Sequence, residues 1–343
     1  MQVEVWKISG SSGFHFGRHG LGQEETLTTM PSDSLFAALV NRLAVGSGGA
    51  AVDDFAKPFA ENDPPFVLSS TFPFAGGVLF FPVPFAAVGE TANKDDAKKY
   101  KRIQYVSEKI FHQLIEGGNL ADVYENAQKL GETVLLDESE KADLPDAIRE
   151  GKTPIWSVET RPRVTLGRAA QNSAIYFTGS VTYAKECGLW FGLSWHRQDE
   201  TRKKQVENLL AELGDSGLGA ERSVGFGACQ ITQQKMIELP DAEGKPWVSL
   251  SRYLPRKDET DSLKGGAYKI INVGGWLDSP VKRGQRRRAV NMLEEGATLS
   301  AARSTIPGEM VDVSPLYNGK NPLGHAVYRS GFALAVEWKG APK

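Results

Sequence analysis

The chain has 343 residues, 41% of them hydrophobic and 24% charged, which suits an ordinary globular protein of about two domains with sizeable cores. Lys and Arg number 40 against 42 Asp and Glu, so the whole molecule has no strong field, and any polyanion must be met by basic residues concentrated locally. Cys187 and Cys229 are too few for a disulfide framework or a cysteine metal cluster. The opening MQVEVWKISG lacks the basic start and apolar run of a signal peptide, and the apolar GGVLFFPVPFAAVG is too short and proline-broken to span a bilayer. A cytoplasmic protein is expected.

In chain order, residues 2–8 (QVEVWKI) are predicted as an opening strand, followed by a polar, glycine-punctuated stretch from Ser9 to Thr29. Ser32 is placed to cap a helix whose Leu35, Phe36, Leu39, Val40 and Leu43 share a face. PPFVLSSTFPF is a further strand, confined by its prolines to an edge or to strand ends. Residues 94–118 form an amphipathic helical segment in which Ile103, Val106, Ile110, Phe111, Leu114 and Ile115 recur at helical spacing and Gly117-Gly118 stop it. The charged, weakly periodic stretch to about 155 belongs to an insertion, taken as about 90–165. Leu189, Phe191, Leu193 and Trp195 then alternate as in a strand, and Val206, Leu209, Leu210 and Leu213 mark a helix. A glycine-rich loop and the strand FGACQITQQ complete a first domain, 1–238. The order β-α-β, insertion, β-α-loop-β is that of a ferredoxin-like split βαβ, also the plan of RNA-recognition domains. LPDAEGKP (239–246) is a turn-rich boundary to a second domain, 239–343, with strand-like segments at 247–253, 267–277 and 332–338.

Three features carry candidate chemistry. The loop GLGAERSVGFG (217–227) sets Gly217, Gly219, Gly225 and Gly227 around Arg222, Ser223 and Phe226. It is not a dinucleotide fingerprint, because Arg222 occupies the third glycine slot and a strand follows rather than a helix. One reading is a surface turn that needs positive φ; the other is a backbone whose N–H groups and Arg222 face a phosphate chain. VKRGQRRRAV gathers Lys282, Arg283, Arg286, Arg287 and Arg288, either a solvated loop or an RNA contact. RPRVTLGRAAQNSAIYF strings Arg161, Arg163 and Arg168 ahead of Tyr176 and Phe177, a mixture that suits single-stranded RNA but that salt bridges and core aromatics would also produce. GKT at 151–153 lacks the earlier glycine of a P-loop, since Asp146 stands there. His15 and His19 lie where a general base for RNA cleavage could sit, while His112, His196 and His325 are dispersed, and no pair has metal-ligand spacing.

Five ordered segments resemble one family. GLGAERSVGFG resembles the G-rich loop of the repeat-associated (RAMP) superfamily of CRISPR proteins. TMPSDSLFAAL (29–39), KKYKRIQYVSEKIFHQLIEG (98–117), RPRVTLGRAAQNSAIY (161–176) and GHAVYRSGFAL (324–334) narrow the resemblance to the fourth-subunit family of the type III-A (Csm) effector complex. Pro31 stands where that family often has histidine, and HAVYRSG replaces the commoner HPVYRYG. The resemblance implies an α+β protein of two ferredoxin-like domains and a non-catalytic role, holding the 5′ handle of a guide RNA at the foot of the complex. It adds Ser32 and Ser34 of the helix motif to the RNA-contacting set. It implies the large Palm-domain subunit and a backbone RAMP subunit as partners, a thumb-like hairpin near the target RNA, and no cofactor, metal or membrane. A metal-independent repeat-processing endoribonuclease of the same superfamily is the alternative. In those nucleases the glycine-rich loop lies near the C-terminus, whereas here a long stretch follows Gly227.

Overall fold

The opening strand β1 (Gln2–Ser9) lies inside the largest sheet, buried on both faces because β-branched and aromatic side chains occupy successive positions. In this computed structural model the described residues are all but 11, 18–23, 90–93, 167–172, 278–283, 302–303, 324 and 341–343, so His19, Arg168, Lys282 and Arg283 lie outside them. A two-residue ladder, β2 (Phe16–Gly17) with β3 (Thr26–Leu27), precedes helix α1 (Ser32–Ser47). Ser32 does not cap α1. Pro31 holds the N-cap position and Ser32 is already helical, since proline's fixed φ suits that entry. Helix α2 (Gly49–Ala60) follows, and Phe36, Phe55 and Phe59 pack together, the first and last with centroids 4.8 Å apart.

The proline-flanked segment is two strands, β4 (Phe66–Leu68) and β5 (Phe72–Ala75), because Ser69-Ser70-Thr71 turn their hydrogen bonds to other elements; β6 (Val78–Pro82) follows. The helical segment expected over 94–118 is interrupted. It runs as α3 (Lys94–Arg102), strand β7 (Tyr105–Ser107) and α4 (Glu108–Ile115), with Tyr105, Val106 and Ser107 all buried in the ladder. Helical periodicity in 103–115 concealed this, since a three-residue strand fits within one helical turn's spacing. Helix α5 (Leu120–Asn126) and strands β8 (Gln128–Leu130) and β9 (Val134–Leu136) follow, then the short helix α6 (Asp146–Arg149). The insertion therefore extends the sheet: β6 pairs antiparallel with β7, and β7 parallel with β9.

A long hairpin, β10 (Trp156–Leu166) and β11 (Ser173–Tyr183), stands apart as its own two-stranded sheet. Strand β12 (Cys187–Trp195), helix α7 (Glu200–Ser216) and strand β13 (Gln230–Glu238) complete the first half. The order β13-β1-β12-β5, all antiparallel neighbours, with α1 and α7 as the crossings, is the split βαβ arrangement. Strand β12 does not alternate between core and solvent: Trp190 and Ser194, on the other face, are as buried as Leu189 and Phe191. Its second face is covered by the rest of the chain, and a Cβ at Gly192 would lie 3.4 Å from Leu334.

The remaining strands are β14 (Trp247–Ser249), β15 (Ile270–Val273), β16 (Val290–Leu293), β17 (Thr298–Leu299), β18 (Met310–Asp312), β19 (Tyr328–Ser330) and β20 (Ala335–Glu337). They form one three-stranded sheet, β17-β14-β20, and the hairpin-like pairs β15-β16 and β18-β19. Among the described residues of this half there is one 3-10 helix, Lys257–Leu263, and no α-helix, so the two-helix plan of a second ferredoxin-like domain is not seen there. Closely spaced glycines and prolines keep its apolar runs short. Val248, Leu250, Phe332, Leu334, Val336 and Trp338 join the core of the first half, while Trp247, Tyr253, Leu293 and Leu299 belong to a smaller cluster.

Candidate nucleic-acid interface

Helix α7 ends at Gly217, φ +83°, and from there four glycines and Glu221 take positive φ: Gly219 +89°, Glu221 +59°, Gly225 +95° and Gly227 +84°. Two of these glycines answer to the protein's own packing. A Cβ at Gly219 would sit 2.6 Å from the His15 carbonyl oxygen, and one at Gly227 would sit 2.2 Å from that of Leu218. Most loop amides are engaged as well. Leu218 N–H donates to Gly227, Gly227 to Gly13 and Ala220 to His15, each at 2.9 Å. Val224 and Gly225 N–H groups close a 3-10 turn at 3.1 Å. The expected row of amides facing a phosphate chain is thus largely replaced by a clasp that grips residues 13–15. What the loop offers outward is its apex, Arg222 to Gly225, all exposed.

The clasp meets the long hairpin through Phe226. Its ring lies under the Arg163 guanidinium, 5.0 Å from the ring centroid, and against Gly13 and the base of β11. That base is fixed by reciprocal Phe14–Val181 backbone bonds of 2.8 Å. Outward, Val164, Ile175 and Phe177 are exposed on one face, since Val164 pairs with Ile175 and Pro162 with Phe177. Arg161, on the opposite face, bonds to Glu159 at 2.8 Å.

A cleft of about 870 Å³ opens between the two halves. The loop from Gly217 to Arg222 and helix α1, through Ser34, Ala37 and Asn41, form one side; Val273 to Leu277, Arg287 and residues 325–329 form the other. Its floor is a polar seam. The Asp33 carboxylate and the Arg329 guanidinium form an ion pair with both side chains essentially inaccessible (0% and 2%). Burial pulls the Arg329 guanidinium down to about 10, still charged at neutral pH, and the adjacent carboxylate favours that charge. Beside it, Arg252 pairs with Glu295 at 3.4 Å, and Glu295 accepts from the Ser70 hydroxyl.

Of the expected site residues, Gly217, Gly219, Arg222, Ser34 and Arg287 converge on the cleft. Ser32 and Arg288 are framework. Ser32 is 5% exposed; its hydroxyl accepts from Arg252 N–H at 2.9 Å and its amide donates to Ser70. Arg288 donates to the carbonyls of Ser314, at 3.0 Å, and Asp312. Arg286 lies over the Trp276 ring, 4.5 Å from its centroid. Of residues 286–288, Arg287 is the one that lines the cleft. His15 is buried, with Nδ1 2.7 Å from the Gly179 carbonyl, which makes Nδ1 the donor and fixes the tautomer. Among the described residues no group of three His, Cys, Asp or Glu could hold a metal ion, and no helix is long and apolar enough to cross a membrane. Trp276, Asp33, Arg252 and Arg329 were not foreseen. Trp276 follows a Gly-Gly pair, a legible sign of close backbone approach, but the partnership of Asp33 with Arg329 spans nearly the whole chain and leaves no local trace.

Residues 242–338 match the family described as the CRISPR Csm4 C-terminal domain. The chain is 26% identical over 313 residues to "CRISPR system Cms protein Csm4" of Thermococcus onnurineus (strain NA1), covering 89% of this chain and 91% of that protein. Its fold is similar to a chain in the crystal structure of the Csm3-Csm4 subcomplex of the type III-A CRISPR-Cas interference complex, with a TM-score of 0.66, 20% identity and coverage of 98% and 99%. A chain of the Csm1-Csm4 cassette in complex with pppApA aligns over 100% of both chains at TM-score 0.60 and 17% identity. The chain is thus similar to Csm4 proteins of CRISPR systems along nearly its full length, matches the Csm4 C-terminal domain over residues 242–338 and shares their α+β fold.

Proposed function

We propose that this chain is a non-catalytic subunit of a type III-A CRISPR effector complex that holds the single-stranded 5′ handle of the guide RNA in the cleft between its two halves. The observation that carries the proposal is the convergence of the glycine loop, Arg222 and Arg287 on one cleft of about 870 Å³. Phosphate contacts from guanidinium groups give affinity, and contacts to base edges read the handle. The relatives' assemblies supply the partners: a large Csm1-type subunit on one side and a Csm3-type backbone subunit on the other. The hairpin β10-β11, with Val164, Ile175 and Phe177 exposed, acts as the thumb that presses toward paired guide and target. The buried His15, with Nδ1 committed to the Gly179 carbonyl, is better suited to holding the clasp than to cleaving RNA.

The test is retention of labelled guide RNA, with its 5′ handle intact or scrambled, followed by a denaturing gel without added metal. Handle-dependent retention of intact RNA is expected. Arg222→Ala should weaken it and lower the salt slope by about 0.7, the value for one single-strand phosphate contact. Metal-independent cleavage lost in His15→Ala would instead establish the endoribonuclease.

A further inference from the structure

The β15-β16 pair continues past Val273 toward its tip. Trp276 bridges Arg286, Leu277 N–H donates to the Gln285 carbonyl at 2.8 Å, and Arg287 N–H donates to Gly275 at 3.0 Å. Gly275 has φ +123°, and a Cβ there would come within 3.3 Å of Arg287 Nη2, so glycine is what lets the guanidinium lie against the strand. Trp276 is 51% exposed, although an indole normally hides most of its apolar surface. It lines the cleft. Arg286 is not among the lining residues; its guanidinium backs the indole at 4.5 Å and leaves the cleft side of the ring open. Next to it Arg287 also lines the cleft.

An aromatic face backed by a cation, beside a guanidinium, matches one nucleotide of an unpaired strand. We propose that Trp276, held by Arg286, is a stacking platform for one unpaired RNA base in the cleft, and that the Arg287 guanidinium donates to a phosphate or base acceptor of the same nucleotide. The proposal rests on the RNA-binding reading above and goes further by assigning a base-binding position to the second half of the chain.

The experiment uses the full chain and a single-stranded 12-mer RNA carrying the handle sequence, with 2-aminopurine placed at successive positions. At one position the fluorescence should be quenched on binding. Trp276→Ala should relieve that quench and weaken binding about 5- to 150-fold, while Trp276→Phe restores most of it. Arg287→Gln should weaken binding with the quench kept. Tight RNA binding with no position quenched, or Trp276→Ala binding like the parent, would overturn the platform and leave the RNA reading standing. No retention of any RNA by the parent would overturn both.

Discussion

Replacing Asp33 with Asn is the sharpest probe of how the cleft is held together. The amide keeps the shape of the side chain but leaves the Arg329 guanidinium, 2% exposed, without a counter-charge. Breaking one partner of a buried pair costs about 3–5 kcal/mol. Asp33 also lies in the first turn of α1, where an acid adds up to about 1 kcal/mol through the helix dipole. With about 2.1 cal/mol/K per residue, 343 residues give an unfolding entropy of roughly 0.7 kcal/mol/K, so the Tm should fall by about 4–7 °C. Urea unfolding and calorimetry of the full chain measure this directly. The pair has little help from its surroundings: beyond Arg329, neither carboxylate oxygen has a hydrogen-bond partner among the described residues. Asp33→Leu combined with Arg329→Met should therefore be within about 1 kcal/mol of the parent, or above it. If Asp33→Asn unfolds within about 0.5 kcal/mol of the parent, the guanidinium reaches water and the seam is not what joins α1 to β19.

The loop glycines should separate by neighbour. Gly219→Ala and Gly227→Ala drive a Cβ into backbone oxygens and should destabilise by more than 2 kcal/mol (about), whereas Gly225→Ala meets only open space and should cost about 1–2 kcal/mol for its positive φ; equal losses in denaturant unfolding would refute the packing account. A pH effect is expected at Glu140. Burial, with smaller contributions from Asp137 and Glu108, raises its pKa against the opposing Ser107 and Lys109 hydrogen bonds. The folded state then keeps a proton that the unfolded state has lost, so this group's contribution to stability falls as pH rises from the ordinary glutamate range through the raised value. Glu140→Gln should gain on the parent at pH about 7 and lose that advantage near pH about 4 in paired urea titrations. An advantage independent of pH would contradict the burial argument.

Much of the first half was legible because its signals are local. Strand β1, helices α1 and α7 and strand β12 each carry their apolar pattern within one element. The element order β-α-β, insertion, β-α-loop-β followed from the βα alternation. Strand β7 was hidden inside a helical period, and its assignment depends on pairing with β6 and β9, a tertiary effect. The second half was opaque because its strands are two to four residues long and rely on the first half for burial. For the candidate site, glycine density and arginine clustering pointed to segments that line the cleft, but not to which of their residues face it. Which glycine grips His15 and which arginine of 286–288 reaches the cleft are decided by neighbours far away in sequence.

The most direct test of the central claim is to map where the handle lies. A guide RNA carrying 4-thiouridine in its 5′ handle would be irradiated with the full chain and the crosslinked peptides identified by mass spectrometry. Crosslinks should concentrate in the loop around Arg222 and in the β15-β16 arm around Trp276 and Arg287, and disappear when the handle is scrambled. Crosslinks confined to other faces, such as the edge strand β8 or the outer surface of α5, with none in the cleft, would contradict the account.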